Sequence, residues 1–589
     1  MPPPGRRGFD KPKNIRSTLL RLLKYMMQFK WMLLAAVFMT VTANLLALKG
    51  PRLAGEAIDL IVGPNNVDFD GVLGYVKQML VYYGASTVMN FLVSVFMIHV
   101  SRRVVYRMRE DIFHKLGQLP ISFYDQWQIG DILSRISYDT DTINMSVSSD
   151  IVMILSSVTT IVGSFANMLE LKPALLLIFA VTIPCAFFAA RFNVKRTKPL
   201  FKARSASLGE LNGFVEEMIS GQKTLKAYHQ EENTIRNYKG YNKRASDAYY
   251  KSEYYGSFMG PTVSFINNLS MAAVSVFGSL MFMAGSLTIG NISSFIQYSR
   301  KFSNPINEIA NIYGDLQSAL AAAERIFGLL DEPIEPLDAP NARVLRDVKG
   351  DVSLQNVSFG YTKDRIILKD FSLEAPRGKM IAIVGPTGAG KTTFINMLMR
   401  FYDIDSGRIT VDGQDISEVT RKSLRLAYSM VLQDTWLFHG TIFENIAYGT
   451  ENATREDVVR VAKAAKIHSY IMHLPQGYDT VLTDDGTNIS KGQKQLMTIA
   501  RAMLQDSNML ILDEATSNVD TRTEVQIQAA MRKLMQDKTC FVVAHRLSTI
   551  QHADMILVVR DGNIVERGTH RELMEARGFY RELYDAQFK

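Results

Sequence analysis

Between residues 31 and 322 long apolar runs alternate with polar, basic stretches; from about residue 343 the apolar residues fall in short runs broken by glycine and charge. Six runs, 31–48, 79–100, 151–168, 173–190, 258–283 and 289–322, each approach the ~20 residues that cross a hydrocarbon core. The third and fourth are separated only by Leu169-Glu170-Leu171-Lys172, which predicts a tight hairpin. The connections 101–146 and 191–257 are too long for hairpins, and their apolar residues recur at helical spacing. They are expected to be helices that continue out of the membrane and turn back, with breaks at Leu119-Pro120 and near Ser220-Gly221.

Charge orients these spans. A basic lead (Arg6, Arg7, Lys11, Lys13, Arg16, Arg21, Lys24, Lys30) precedes the first, too long and without a small-residue cleavage site for a signal peptide. Arg102, Arg103, Arg107 and Arg109 follow the second span. Arg191, Lys195, Arg196, Lys198, Lys202 and Arg204 follow the fourth, whereas residues 285–290 carry no charge. Positive residues stay inside, so both termini and both long connections are expected in the cytoplasm of a multi-pass protein of the cell membrane. The net charge of +8 is concentrated beside the spans, which argues against nucleic acid binding. In the sixth span Asn304, Asn307, Glu308, Asn311 and Asp315 share one helical face, either lining a wet cavity or already beyond the membrane.

The prolines Pro333, Pro336 and Pro340 in an acidic stretch mark a linker. The expected organisation is a transmembrane domain over 1–325, a linker over 326–342 and an α/β domain over 343–589. The two cysteines, Cys185 and Cys540, are too far apart and too unlike in setting to suggest a disulfide framework or a cysteine metal site.

Chemistry enters after the apolar strand 380–384. Gly385-Pro386-Thr387-Gly388-Ala389-Gly390-Lys391-Thr392, followed by Thr393 and a helical run, fits G-x-x-x-x-G-K-[ST] in its strand–loop–helix setting. Glycines let backbone N–H groups converge on phosphate oxygens, Lys391 reaches the terminal phosphates, and Thr392 offers a hydroxyl to Mg²⁺. A second buried strand, 509–512, ends in Asp513-Glu514. Asp513 is suited to hold Mg²⁺ through water, and Glu514 to orient the attacking water. Adjacent carboxylates at a strand end repel each other, and nothing structural requires them.

Between these motifs stands Ile489-Ser490-Lys491-Gly492-Gln493, which resembles the L-S-G-G-Q signature of the ATP-binding cassette (ABC) transporter family. The resemblance extends over essentially the whole chain: six spans followed by one cassette is the layout of a bacterial type IV, multidrug-exporter-like half-transporter. It implies an α-helical six-span transmembrane domain with long cytoplasmic helical extensions, then an α/β P-loop nucleotide-binding domain. By resemblance, Tyr361 stacks on adenine and Gln433 senses Mg²⁺. Ser517 and Asp520 belong to the D-loop, and His545 contacts the γ-phosphate. Ser490 reaches ATP held by the partner cassette, so the chain must pair. Asp484 stands where exporters usually carry glutamate.

Lys491 replaces a signature glycine, adding bulk and a cation. The half-site it serves is therefore expected to be altered, and the resemblance favours a heterodimer with one consensus and one degenerate ATP site over a homodimer. The implied activity is ATP hydrolysis driving export of amphipathic compounds; most of the 29 methionines are expected to fill core or face lipid, and a minority to line an adaptable binding surface. The alternatives are a dedicated lipid or peptide exporter, and an ATP-gated channel or regulatory membrane ATPase.

Overall fold

The computed structural model describes residues 14–63, 66–362, 364–433, 435–483, 488–513, 520–543 and 550–588. The chain forms two compact units, Met1–Gly117 with Ile129–Glu332, and Gln118–Gln128 with Pro333–Lys589.

The first unit is helical because backbone polar groups in lipid must be satisfied within each segment. Among the described residues five stretches are long and apolar enough to cross a membrane: Lys30–Asp59, Phe69–Leu116, Ile129–Leu171, Pro173–Ser220 and Glu231–Met283. The sixth expected span is one continuous helix, Ile289–Leu330, but it falls short of that apolarity. Arg300, Lys301 and its polar face dilute it. Asn304, Glu308 and Asp315 are exposed, whereas Ile312 on another face is buried. The side chains of Asn307 and Asn311 lie outside the description.

The helices outrun the bilayer. Phe69–Leu116 has 48 residues, roughly 70 Å at ~1.5 Å per residue, more than twice a ~30 Å hydrocarbon core. It ends just before Pro120, and a short helix, Ile121–Gln126, follows. Leu176–Ser220 likewise stops at Gly221, where Gln222–Ala227 begins. Where Lys49–Asp59 meets the start of Ile289–Leu330, a Cβ on Gly290 would run into the Gly55 carbonyl and the Asp59 carboxylate. The absent side chain lets the Gly290 amide donate to Asp59 at 2.7 Å. Nearby, Tyr298 donates to the Leu48 carbonyl at 2.7 Å.

Among the described residues the second unit has two larger sheets and a two-stranded antiparallel ribbon, Gly440–Thr441 with Val481–Leu482. In chain order the strands of the two larger sheets are β1 Val352–Phe359, β2 Leu368–Ala375, β3 Met380–Val384, β4 Ser406–Val411, β5 Gln414–Asp415, β6 Tyr428–Val431, β7 Met509–Asp513, β8 Thr539–Val543, β9 Met555–Arg560 and β10 Asn563–Gly568. One sheet runs β2-β1-β4-β5, antiparallel throughout; the other runs β10-β9-β3-β8-β7-β6, parallel except for the edge strand β10. The inner strands are apolar without interruption because both faces are covered. Ala382, Val384, Leu510, Leu512, Cys540 and Val542 enter one core, and the intervening Ile381, Ile383, Met509, Ile511, Phe541 and Val543 enter the other.

Candidate active site

Parallel strands deliver their following loops to one edge of the sheet, where ligands of open α/β folds bind. β3 leads into the phosphate-type loop, β7 ends on Asp513, and Gln433 follows β6 by two residues. Asp513 is level with Val543 at the end of β8, and Val543 is level with Ile383 in β3. On the other side Leu512 pairs with Val431. Loop, carboxylate and amide thus emerge from neighbouring strand ends.

The loop is shaped by its glycines. Gly388 has φ +85° and Gly390 φ +106°, and a Cβ on Gly390 would stand 2.8 Å from a Leu368 methyl. Only glycine takes this left-handed turn at low cost. Gly390 then caps the helix Lys391–Leu398. The first-turn amides of that helix have no intrahelical acceptor, which makes its start an anion-binding end. Pro386, Thr387, Gly388 and Thr392 are exposed, Gly385 is half-buried, and Ala389, Lys391 and Thr393 are buried. Lys391 Nζ folds over the loop and donates to the Gly385 carbonyl at 2.8 Å and the Pro386 carbonyl at 3.0 Å. Burial lowers its pKa, opposed by the Asp513 charge. The donor set suits a nucleotide and a hard cation: an ammonium and helix amides for phosphate oxygens, and the hydroxyl, carboxylate and amide oxygens of Thr392, Asp513 and Gln433 for Mg²⁺.

Tyr361, beyond the end of β1, is 45% exposed. Its hydroxyl donates to Thr393 Oγ1 at 3.2 Å and accepts from Asn396 Nδ2 at 3.0 Å. The aromatic ring is thereby tethered to the helix that begins at Lys391. Asn396 was missed in the sequence, although it lies one turn beyond Thr393 on the same helical face.

The signature segment is a helix start. Ser490 caps Lys491–Gln505 by accepting from the Gln493 amide at 3.3 Å, and the Gln493 side chain accepts from the Ser490 amide at 3.0 Å. This reciprocal capping box is legible as S-x-x-Q. Ile489 is half-buried against the core, Gly492 is buried, and Lys491 is exposed. Lys491 is the first helical residue, a position any L-residue occupies without strain. The expected alteration at Lys491 is therefore not one of backbone; what the lysine adds is its side chain and charge. The same helix carries Arg501, also unnoticed in the sequence. It donates to the Asn445 carbonyl at 2.8 Å and the Trp436 carbonyl at 3.2 Å, anchoring the segment that follows Gln433.

Asp520 caps the helix Thr521–Met535 by accepting from the Thr523 amide at 3.0 Å, a bond that lowers its pKa. Asp484, Glu514, Ser517 and His545 lie outside the described residues, although β7 ends immediately before Glu514 and β8 just before His545.

Residues 33–306 match the family model of the ABC transporter transmembrane region, and residues 368–517 that of the ABC transporter itself. The chain is 41% identical to an uncharacterised ABC transporter ATP-binding protein of Bacillus subtilis (strain 168), over 98% of this chain and 96% of that one. It is 39% identical to a fatty acid ABC transporter ATP-binding/permease protein of Mycobacterium tuberculosis (strain CDC 1551 / Oshkosh), over 99% of each. It is 34% identical to an ATP-dependent lipid A-core flippase of Methylobacillus flagellatus, over 98% of each. Among solved structures, a bacterial Atm1-family ABC exporter with ATP bound superposes with a TM-score of 0.75 at 30% identity, covering 95% of this chain and 98% of that one.

Proposed function

The chain belongs to the ABC transporter family as an exporter ATPase/permease that hydrolyses ATP, and from that premise we propose that it expels amphipathic compounds across the cytoplasmic membrane, as in multidrug efflux, with both termini in the cytoplasm. The observation that carries this reading is the convergence of the phosphate loop, Asp513 and Gln433 at one sheet edge, in a chain whose other unit holds five apolar membrane-length helices. Relatives named for a fatty acid, for lipid A-core and for multidrug export support an amphipathic substrate class, since all three descriptions fit molecules with apolar and polar ends.

In this account ATP bound with Mg²⁺ supplies the scissile phosphate bond. Tyr361 stacks on adenine. The loop amides and Lys391 hold the phosphates, while Thr392, Asp513 and Gln433 hold Mg²⁺. Glu514 orients and polarises the attacking water, and His545 steadies the γ-phosphate. Phosphoryl transfer needs position and charge stabilisation more than covalent chemistry, and these groups provide both. Ser490 and the helix start behind it complete the site of a second half-transporter chain, with Asp520 and Ser517 at the shared face. Closure of two cassettes on ATP, and their parting after hydrolysis, drives alternating access. ATP shifts that equilibrium only by its differential affinity for the two states.

Lys491 argues for an unlike partner, because its cation enters a site built for phosphate and leaves the two sites unequal. A second reading, two identical chains, is favoured by the regular capping box, which accepts Lys491 without distortion. Co-purification of the tagged chain without an added partner separates them: a stoichiometric second half-transporter supports the heterodimer, and an active dimer of this chain alone refutes it. Export itself is tested in inside-out vesicles with a lipophilic fluorescent dye. ATP-dependent uptake against the dye gradient is expected, and dye movement only down its gradient would support a gated channel instead.

A further inference from the structure

The helix Leu176–Ser220 carries a stripe of exposed residues that its own packing does not use. Leu177, Val181, Pro184 and Phe188 recur at alternating spacings of four and three, which keeps them on one helical face. The same spacing continues into Arg191, Lys195, Lys198 and Lys202. Every member of the stripe is exposed. Its apolar half gives way to its cationic half where the fourth apolar run ends, at Ala190. From Leu177 to Phe188 the stripe rises roughly 16 Å at ~1.5 Å per residue, about half of a ~30 Å hydrocarbon core. The stripe therefore matches one leaflet, apolar beside the acyl chains and cationic beside the headgroups.

The protein-facing side of this helix lies elsewhere. Thr197 is buried, the Phe201 ring lies against Gly256, and Arg204 pairs with Glu253 of the helix Glu231–Gly256 at 2.5 Å. Three of the four arginines after the second span are likewise taken up by protein contacts. Arg103 lies over the Phe29 ring at 5.8 Å, Arg107 donates to Gln28 at 2.6 Å, and Arg109 pairs with Asp141 at 2.9 Å. Arg191, Lys195, Lys198 and Lys202 have no such partner among the described residues. No carboxylate occurs between positions 191 and 204. The rule that keeps positive residues inside accounts for their sign, not for their alignment on one face. Helical side chains lean toward the N-terminus, here the membrane end, so the lysines reach back toward the bilayer. Four like charges on one face also repel a second copy of that face.

We propose that this stripe binds an anionic phospholipid of the leaflet that residues 191–202 face. Lys195 and Lys198 hold its phosphate, flanked by Arg191 and Lys202, and its acyl chains lie along residues 177–188. The pairing rests on charge complementarity and on the match of the apolar half to one leaflet. Cations beside a membrane span favour anionic headgroups by about fivefold in affinity each. The lipid is a resident of the site that fixes the depth of Leu176–Ser220 in the bilayer, and its binding requires no nucleotide.

The test uses the assembled full-length transporter in nanodiscs with a bimane fluorophore on Cys185, which is exposed and adjoins Pro184 of the stripe, whereas Cys540 is buried. Phosphatidylglycerol or phosphatidylcholine brominated on its acyl chains is titrated into an unbrominated phosphatidylcholine matrix, and quenching reports which lipid occupies the stripe. In the wild type, half-maximal quenching by the phosphatidylglycerol is expected at a mole fraction about twentyfold below that of the phosphatidylcholine, the product of two cations. Lys195→Gln combined with Lys198→Gln should reduce that preference to about threefold or less. Lys195→Arg combined with Lys198→Arg keeps both charges and should keep the preference. Arg196 lies at the same depth but off the stripe, with its guanidinium 4.8 Å from the Phe192 ring centroid, so Arg196→Gln should also keep it. Equal quenching by the two lipids in the wild type overturns the site. An Arg196→Gln loss as large as that of the lysine pair overturns it as well, because the cations would then act as a diffuse field. Mg²⁺ and ATP should leave the quenching unchanged; a fall during turnover would mark the lipid as cargo and overturn the resident role.

Discussion

Ser490 is asked to do two things, and two substitutions separate them. In its own chain it caps Lys491–Gln505 through the Gln493 amide at 3.3 Å. In the proposed dimer it faces the phosphates held by the partner. Ser490→Ala removes both functions. Loss of a cap costs about 1 kcal/mol, equivalent to a fall of roughly 2–4 °C in the melting temperature of a domain this size. Ser490→Asp keeps the cap, because aspartate caps as well as serine and its charge favours the helix start. It also places an anion where a phosphate must come. At about 4 Å and an effective dielectric of about 20, two unit charges repel by about 4 kcal/mol. That corresponds to roughly a thousandfold in rate, and half of it still to about thirtyfold. Unfolding of the nucleotide unit can be followed by thiol labelling of buried Cys540, with exposed Cys185 replaced by serine. Turnover is read by phosphate release from the reconstituted transporter. Ser490→Asp should melt like the wild type and hydrolyse ATP poorly, whereas Ser490→Ala should melt a few degrees lower. A Ser490→Asp transporter with near-wild-type turnover would refute the placement of Ser490 against phosphate.

Three further outcomes follow from individual contacts. Lys391→Ala should lower ATP turnover by about a hundredfold or more, the scale of one lost transition-state donor, measured as phosphate release. Its melting temperature should change little, since Lys391 Nζ bonds only to carbonyls of its own loop among the contacts described. Arg501→Ala strands the Asn445 and Trp436 carbonyls and should cost about 2–3 kcal/mol, read as an earlier onset of Cys540 labelling on heating. Gly290→Ala forces Lys49–Asp59 away from Ile289–Leu330 at a cost of about 1–3 kcal/mol, seen as loss of the monodisperse peak in size-exclusion chromatography after mild heating; an unchanged profile would show that the helix contact yields freely.

Much of this arrangement could be read before any coordinates. The strand–loop–helix turn at residues 385–392 is legible because strand, glycine loop and lysine are contiguous, so local geometry is written in local sequence. The capping box at Ser490 and Gln493 is legible for the same reason. The hydrogen bond that the Tyr402 hydroxyl donates to Asp125 is not, since it joins residues 277 apart and neither residue stands out in its own surroundings. The tolerance of Lys491 also escapes sequence comparison: a glycine in a motif invites a backbone explanation, but helical dihedrals make none necessary here. The sixth span shows the opposite limit. Its length is plain, yet Arg300, Lys301, Asn304, Glu308 and Asp315 hold it below the apolarity of the other five. Its membership of the membrane unit follows from packing against Lys49–Asp59 and Ile151–Leu171 rather than from hydropathy.

The proposed mechanism depends on the Glu514 carboxylate directing water at ATP held by residues 385–392. Glu514→Gln, assayed in the full transporter with its partner and Mg²⁺, keeps the shape and removes the charge. ATP should remain bound and recoverable as ATP, with phosphate release reduced by about a hundredfold or more, the lower range of general acid–base catalysis. Phosphate release at the wild-type rate would contradict the assignment of Glu514, and with it the mechanism proposed for this site.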